Sequence, residues 1–215
     1  MDPVKLNLSA DEVLTTTRSV RKRLDFDKPV SREVIRECLD IALQAPTGSN
    51  SQGWQWMFVD DPAKKLVLRD IYKKHFDDYS KYSREWPDGD PRAAQKPGVR
   101  SSAEHLAENF HKVPVLMIPL IEGRLDGAGV FQAAGAWGSL LPAVWSFMLA
   151  LRERGLGSAW TTLHLPGEKE AAELLGIPYD KYTQGGLFPI AYTVGTDFKP
   201  AKRLDTDRCV HWNQW

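Results

Sequence analysis

The feature that most constrains the fold is a long apolar segment over residues 127–154. Apolar side chains recur on nearly every face of it, and Gln132, several glycines and Pro142 interrupt it. A helix that is apolar all round has to lie in the middle of a protein or at a large interface. Because the interruptions argue against a membrane span, we expect a buried central helix around which the rest of the chain packs.

Helix caps and apolar spacing predict the elements that precede this segment. Ser9 and Glu12 have the spacing of a capping box, Ser31 is a candidate N-cap, and the residue before Pro46 disfavours helical backbone. Short runs rich in β-forming residues indicate strands. The expected helices cover 9–17, 31–45, 62–86 and 101–111, and the expected strands cover 54–59 and 113–121.

The residues after the apolar segment predict further strands and a tail. No repeat or boundary divides the chain, so we expect a single domain over 1–215. Trp215 ends a tail, about 196–215, that we expect to pack on a partner subunit, because an indole is hard to leave in water. Gly155-Leu156-Gly157 is expected to end the central helix. Strands are then expected over 158–163 and 186–195, with a short charged helix over 166–175.

Composition and charge argue against several classes of partner. Lysine plus arginine and aspartate plus glutamate balance at 28 each, so no net field would attract nucleic acid or an anionic membrane. The basic cluster at 18–23 is too short to support nucleic-acid binding by itself. Of the two cysteines, Cys38 falls on the apolar face of a predicted helix, and neither has metal-ligand spacing. We expect no metal site and, with no apolar leader at the N-terminus, a reduced cytoplasmic location.

The polar groups that remain suit one kind of ligand. Dinucleotide-binding, P-loop, zinc-protease and nucleophile-elbow motifs do not occur in the sequence. Arginine forks bind phosphate, hydroxyls suit a polyol, and amides suit the polar edge of an aromatic ring. Such groups describe a site for a nucleotide or flavin mononucleotide, between which the residues alone do not choose. The set comprises Arg18, Ser19 and Arg21; Ser49, Asn50 and Gln52; Thr161 and Thr162; and Lys202 and Arg203.

Motifs that occur in a fixed order along the chain favour one of these two ligands. Arg18-Ser19-Val20-Arg21 comes first, and residues 45–54 follow with a pattern similar to Ala-Pro-Ser/Thr-x-x-Asn-x-Gln-Pro-Trp. From about Leu14 to the C-terminus the chain resembles the FMN-dependent nitroreductase family. It departs from that family at Thr17, where many relatives have a basic residue, and at Gly53, where proline is usual. The later motifs are the central helix leading into 155–158, the run 188–195 and the pair Lys202-Arg203.

The resemblance implies an α+β fold and a shared site. A mainly antiparallel sheet flanked by helices would surround the long central helix, in an intertwined homodimer with FMN at the interface. One subunit would supply Arg18, Ser19, Arg21 and Arg203, and the other the loop 46–50. The implied cofactor-binding residues are Arg18, Ser19, Val20, Arg21, Pro46, Thr47, Gly48, Ser49, Asn50, Gln52, Thr161, Thr162, Leu163 and Arg203.

The resemblance also implies a reaction, in which FMN carries the chemistry and the protein tunes it. NADH or NADPH would reduce FMN in a ping-pong cycle, and a nitroaromatic, quinone or related oxidised substrate would then take the electrons. Arg21 would lie at the N1/O2 edge of the flavin, and Thr161 or Thr162 would bond N5. No catalytic acid is implied. The aromatic residues Phe76, Tyr79, Tyr82 and Trp86, within the segment 75–100, are a candidate substrate lid.

Two other functions remain open from the sequence. A relative with the same fold could act on one specific substrate, as a dehalogenase or dehydrogenase. A flavin-binding or sensing module without turnover would use the same residues. Neither alternative is separated from the reductase by the residues near the expected flavin ring.

Overall fold

The computed structural model describes residues 5–82, 85–87 and 89–215. Helices and strands alternate irregularly along the chain, as in an α+β protein. The helices are α1 (Ala10–Thr16), α2 (Arg32–Ala42), α3 (Pro62–Tyr79), α4 (Lys96–Asn109), α5 (Val130–Glu153) and α6 (Glu168–Leu175). The strands are β1 (Trp54–Val59), β2 (Val115–Glu122), β3 (Leu156–Gly157), β4 (Tyr182–Gln184) and β5 (Phe188–Tyr192).

The strands of the described chain form one five-stranded antiparallel sheet. Its order is β1-β2-β5-β3, and β4 pairs with the other end of β2. β2 is the central strand, and all of its residues except Glu122 are buried. A strand buried on both faces reads as a continuous apolar run. The expectation of a mainly antiparallel sheet is therefore confirmed.

The long apolar segment is helix α5, and its two halves have different surroundings. By length and composition it could cross a membrane, and 44% of its most apolar window is buried inside the protein. Its C-terminal half packs against α2 and the sheet, where Val144, Phe147 and Leu151 are fully buried. Its N-terminal half leaves Val130 and Phe131 88% and 95% exposed. One half of the helix is therefore buried in the centre of the protein, and the other half exposes apolar side chains.

The predicted starts of α1 and α2 agree with the structure because they rest on local hydrogen bonds. The Ser9 side chain accepts a hydrogen bond from the Glu12 amide, and the Glu12 carboxylate accepts one from the Ser9 amide, which is the expected capping box. Ser31 caps α2 by accepting from the Val34 amide at 3.3 Å. Cys38 lies on the inner face of α2 and is fully buried, as expected.

Several predicted boundaries were wrong. The helix expected over 62–86 ends at Tyr79, and residues 83 and 84 of that range lie outside the described part of the chain. The helix expected over 101–111 begins earlier, at Lys96, because proline is tolerated in a first helical turn. The strand expected over 158–163 is also absent.

The segment 158–163 forms no continuous ladder because its ends pair with different partners. Ser158 makes a parallel bridge to Ser19, and Thr161 makes an antiparallel bridge to Leu187. Regular pairing is confined to Leu156 and Gly157, which form β3 with the end of β5.

A buried histidine beside β4 predicts a pH-dependent stability. The Nε2 atom of His164 lies 3.0 Å from the Gln184 side-chain oxygen, and burial lowers the pKa of His164 to about 4. Because the unfolded chain binds this proton near pH 6.5, folding is favoured above that pH and loses stability as pH falls. We expect the free energy of unfolding to fall by about 2 kcal/mol between pH 8 and pH 5 from this residue alone.

Urea unfolding at the two pH values measures this loss. His164→Asn should remove that part of the pH dependence, and His211→Asn, at an exposed site, should retain it. Equal pH dependence in the native protein and in His164→Asn would contradict the assignment.

Candidate functional site

The basic motif follows directly after the C-cap of α1 and continues beside the sheet. α1 ends at Thr16 with no basic residue in its last turn, and Thr17 is its C-cap. The chain then becomes extended, and the Val20 amide donates to the Ser158 carbonyl at 2.8 Å. This pairing joins the arginine motif to the segment that leaves β3.

The junction between these segments is closely packed. A Cβ atom added at Gly157 would lie 2.7 Å from the Thr193 methyl and 2.9 Å from the Val20 Cβ. Neither neighbour leaves room for a side chain, so glycine is required for the backbones to approach. The position of the arginine motif relative to the sheet is therefore fixed.

Two arginines from distant parts of the chain lie close together. Burial lowers the pKa of Arg18, and the neighbouring Arg203 lowers it further. Among the residues that the structure describes, neither guanidinium has a recorded ion pair or hydrogen bond with another side chain. Two guanidinium groups without a carboxylate between them favour an anion, because like charges repel until one binds.

Arg21 has different surroundings, further inside the protein. Its Nη1 atom lies 3.4 Å from the Ser102 hydroxyl on α4, and burial lowers its pKa. Burial raises the pKa of the neighbouring Tyr72 to about 12, and the Tyr72 side chain also interacts with Thr161. A guanidinium stays charged even when burial lowers its pKa. Tyr72 and Ser102 were not among the residues that the sequence predicted for this site.

The two candidate threonines beside this group differ in availability. The Thr161 hydroxyl is buried and donates to the Leu187 carbonyl. Thr162 is exposed, and no hydrogen bond of its side chain is recorded in the described chain. Leu163 follows in the turn and is partly buried against the core. The hydroxyl free to meet a ligand is thus that of Thr162.

The loop after α2 holds an unusual backbone. Ser49, Asn50 and Gln52 have φ angles of 52°, 53° and 50°, in the left-handed region that favours glycine. Each such residue costs about 1 kcal/mol unless its surroundings compensate. Runs of strained non-glycine residues are typical of ligand-binding sites.

Two anchors hold the loop in this shape. The Gly48 amide donates to the Ser139 hydroxyl on α5 at 3.0 Å, and the Gln52 amide donates to the Thr47 hydroxyl at 3.1 Å. Pro46 precedes them and is exposed. The loop therefore lies on the N-terminal half of α5, the half with uncovered apolar residues.

The sequence-predicted residues form two groups within one chain. The first lies beside the sheet and α4 and contains Arg18, Ser19, Val20, Arg21, Thr161, Thr162, Leu163 and Arg203. The second is the loop from Pro46 to Gln52 on α5. No hydrogen bond or ion pair recorded in the described residues links one group to the other.

A cavity of about 940 Å³ adjoins the first group. Phe76, Tyr79, Tyr82 and Trp86 line one side of it, and the tail around Arg203 lines another. Within residues 5–82, 85–87 and 89–215, no cluster of three or more potential metal ligands occurs. A cavity of this volume accommodates a small organic molecule.

The structure combines an antiparallel sheet, a long apolar helix and a strained polar loop that packs on this helix, which together define the class of α+β protein. The chain belongs to the Nitroreductase family, whose family model matches residues 14–192. The expected fold is thereby confirmed together with the family.

The proteins that this chain is similar to have different named activities. It is 26% identical to an NADH dehydrogenase of Thermus thermophilus over 95% of this chain and 96% of the relative. It is similar to a crystal structure of oxidized iodotyrosine deiodinase bound to FMN and 3-iodo-L-tyrosine, with a TM-score of 0.71, 22% identity and coverage of 95% and 99%. An FMN- and NADPH-dependent nitroreductase from a sphigopyxis strain has a TM-score of 0.69 at 22% identity, with coverage of 97% and 100%.

Proposed function

We propose that this protein is an FMN-dependent oxidoreductase, which takes electrons from NADH or NADPH and transfers them to a nitroaromatic, quinone or related oxidised substrate. The observation that carries the proposal is the Arg18–Arg203 pair, which has no recorded ion pair with a carboxylate in the described chain, together with the partly buried Arg21 of the same motif, in a member of the Nitroreductase family. The FMN bound in the similar deiodinase structure and the FMN dependence of the similar nitroreductase support the same cofactor.

The residues present fit FMN in their chemistry. Arg18 and Arg203 would hold the phosphate, which relieves the repulsion between their charges. Ser19 is exposed beside Arg18 and would bond the phosphate or the ribityl chain. The exposed hydroxyls and amides of the loop 46–52 would form hydrogen bonds to the polar edge of the flavin ring.

Two residues would tune the flavin ring. FMN, when bound, accepts electrons from reduced nicotinamide and returns them to an oxidised substrate. Arg21 would place a permanent positive charge at the N1/O2 edge, and its side chain donates to the Ser102 hydroxyl, with Tyr72 nearby. Thr162 would donate to N5, since the Thr161 hydroxyl is already bonded to Leu187.

The site is proposed to be completed by a second copy of the chain. The loop 46–52 lies on the half of α5 that exposes Val130 and Phe131. Cβ atoms added at Gly135 and Gly138 on this helix would meet nothing within 4 Å, so the surface is open to close approach. A homodimer that covers this surface would place one copy's loop beside the other copy's arginines. The tail beyond residue 196 remains proposed to contact the partner.

The partners and the location of the protein are proposed from its charge and composition. With balanced charge, neither nucleic acid nor a membrane is an expected partner, and the chain is proposed to act as one domain in the cytoplasm. An aromatic or quinone-like small molecule is the expected substrate.

A second candidate is reductive dehalogenation of a specific aromatic compound. It is favoured by the similarity to a deiodinase structure that contains 3-iodo-L-tyrosine, together with the aromatic cavity beside Arg203. A flavin-binding module without turnover is the remaining alternative. Products distinguish these candidates: iodide release from an iodophenol indicates dehalogenation, whereas loss of the nitro-group absorbance indicates nitroreduction.

The spectrum of the purified protein tests the proposal. We expect yellow flavin absorption bands that bleach anaerobically when NADH or NADPH is added and return when a quinone or nitroaromatic follows. Absence of flavin bands after incubation with FMN would contradict all flavin-based functions. Bands that persist with both nucleotides would contradict the reductase and favour the binding module.

A further inference from the structure

The cavity beside Arg203 has walls of two different chemical kinds. One wall is aromatic, with Phe76 and Tyr79 from α3 followed by Tyr82 and Trp86. Tyr79 and Tyr82 are 62% and 81% exposed, so their rings are largely uncovered by the rest of the chain. Aromatic faces of this kind stack on a flat ligand. This wall therefore favours an aromatic molecule.

The other walls carry an excess of positive charge. One acidic side chain, Asp205, lines the cavity among the residues that the structure describes, against a set of basic ones. The Asp205 carboxylate accepts a hydrogen bond from the Asp207 amide within its own turn. The basic lining residues are Arg92, Lys96, Arg100, Lys202, Arg203 and Arg208.

The basic residues divide according to whether they already have a partner. Arg92, Lys96 and Arg100 each pair with a nearby carboxylate, at 2.6, 3.0 and 2.9 Å. For Lys202 and Arg208, no direct ion pair is recorded in the described ranges 5–82, 85–87 and 89–215, although Arg208 lies near enough to Asp90 to help lower the pKa of that carboxyl. The charge that remains available thus comes from the C-terminal tail.

We infer that this cavity binds aromatic compounds that carry an anionic group, and that Lys202 and Arg208 select for that group. The exposed rings of Tyr79 and Tyr82 stack on the aromatic ring while the tail cations attract the anionic group. The inference rests on the proposed function in one respect: the anionic aromatic compound is taken to be the electron acceptor. Binding itself depends on the cavity alone.

A matched pair of probes tests the selection. 4-Nitrobenzoate and 4-nitrobenzamide have nearly the same shape and differ by one negative charge. For the flavin-loaded protein we expect a higher kcat/KM for the benzoate. In the double variant Lys202→Gln/Arg208→Gln, the benzoate-to-benzamide ratio should fall about tenfold, since two partly screened charges are removed. Raising the salt concentration should lower the ratio of the native protein too.

Lys199→Gln is the matched control, because Lys199 is an exposed cation of the same tail that does not line the cavity. It should leave the ratio unchanged. A ratio near one in the native protein, or a ratio that the double variant does not alter, would overturn the inference while leaving the reductase proposal intact.

Calorimetric titration of the oxidised protein with the same two probes separates the two proposals. Tighter, salt-sensitive binding of the benzoate that weakens in the double variant supports the inference, even if neither probe is turned over. Equal binding of both probes overturns it. Absence of turnover combined with selective binding would count against the reductase alone.

Discussion

Replacing Arg18 and Arg203 together by glutamine is expected to weaken FMN binding about a hundredfold. Each guanidinium would lose a charge-assisted hydrogen bond to phosphate, worth about 1.5–3 kcal/mol before solvent screening. The loss should be screened because the Arg203 side chain is exposed and Arg18 is half-buried. Quenching of free flavin fluorescence during titration of the apoprotein gives the dissociation constant.

Riboflavin, which lacks the phosphate, provides the control ligand. Its affinity should change little in the double variant, so the preference for FMN over riboflavin should fall in parallel with FMN affinity. Arg36→Gln, at an exposed position of α2, is the control variant and should bind FMN normally. An equal loss for both flavins would show that the arginines support the fold of the site rather than the phosphate.

Arg21→Ala is expected to slow flavin reduction by NADH or NADPH about fiftyfold, with a smaller effect on FMN affinity. A positive charge aimed at the developing negative charge of a ring contributes more to the rate than to binding. Stopped-flow bleaching of the flavin bands under anaerobic conditions measures the rate at saturating nucleotide.

Arg21→Lys should recover part of this rate because the charge is kept, although the lysine cannot reproduce the planar fork. Ser102→Ala, which removes the hydroxyl 3.4 Å from Arg21 Nη1, should have a small effect. An unchanged reduction rate in Arg21→Ala would remove the proposed role at the N1/O2 edge.

Local chemistry made part of the fold predictable. The capping box at Ser9 and the N-cap at Ser31 act within a few residues, so the sequence contains all of their partners. The central strand β2 was recognisable because burial on both faces requires an unbroken apolar run. The long helix was evident for the same reason.

Pairing between distant segments was not predictable in the same way. The β-forming residues of 158–163 suit a strand, but their partners are Ser19 and Leu187, more than a hundred residues before and about thirty after. Because no single strand lies beside the whole segment, its two ends pair with different parts of the fold. The sequence of the segment gives no indication of these two partners.

The candidate site shows the same limit. The residue types that suit FMN could be read from the sequence, and the family resemblance supplied their roles. That Arg18 and Arg203 lie together depends on how the tail returns past α4. The choice of Thr162 over Thr161 required the hydrogen bond from Thr161 to Leu187. The contribution of Arg208 to the cavity had no sequence signal.

The left-handed residues of the loop 46–52 affect when the site becomes ordered. Contacts within the chain, to α5 and to Thr47, hold Ser49, Asn50 and Gln52 in this shape. The loss of conformational entropy in this loop therefore accompanies folding, and a planar ligand meets a preorganised surface. Glycines at these positions would relieve the strain, but each binding event would then have to order the loop anew.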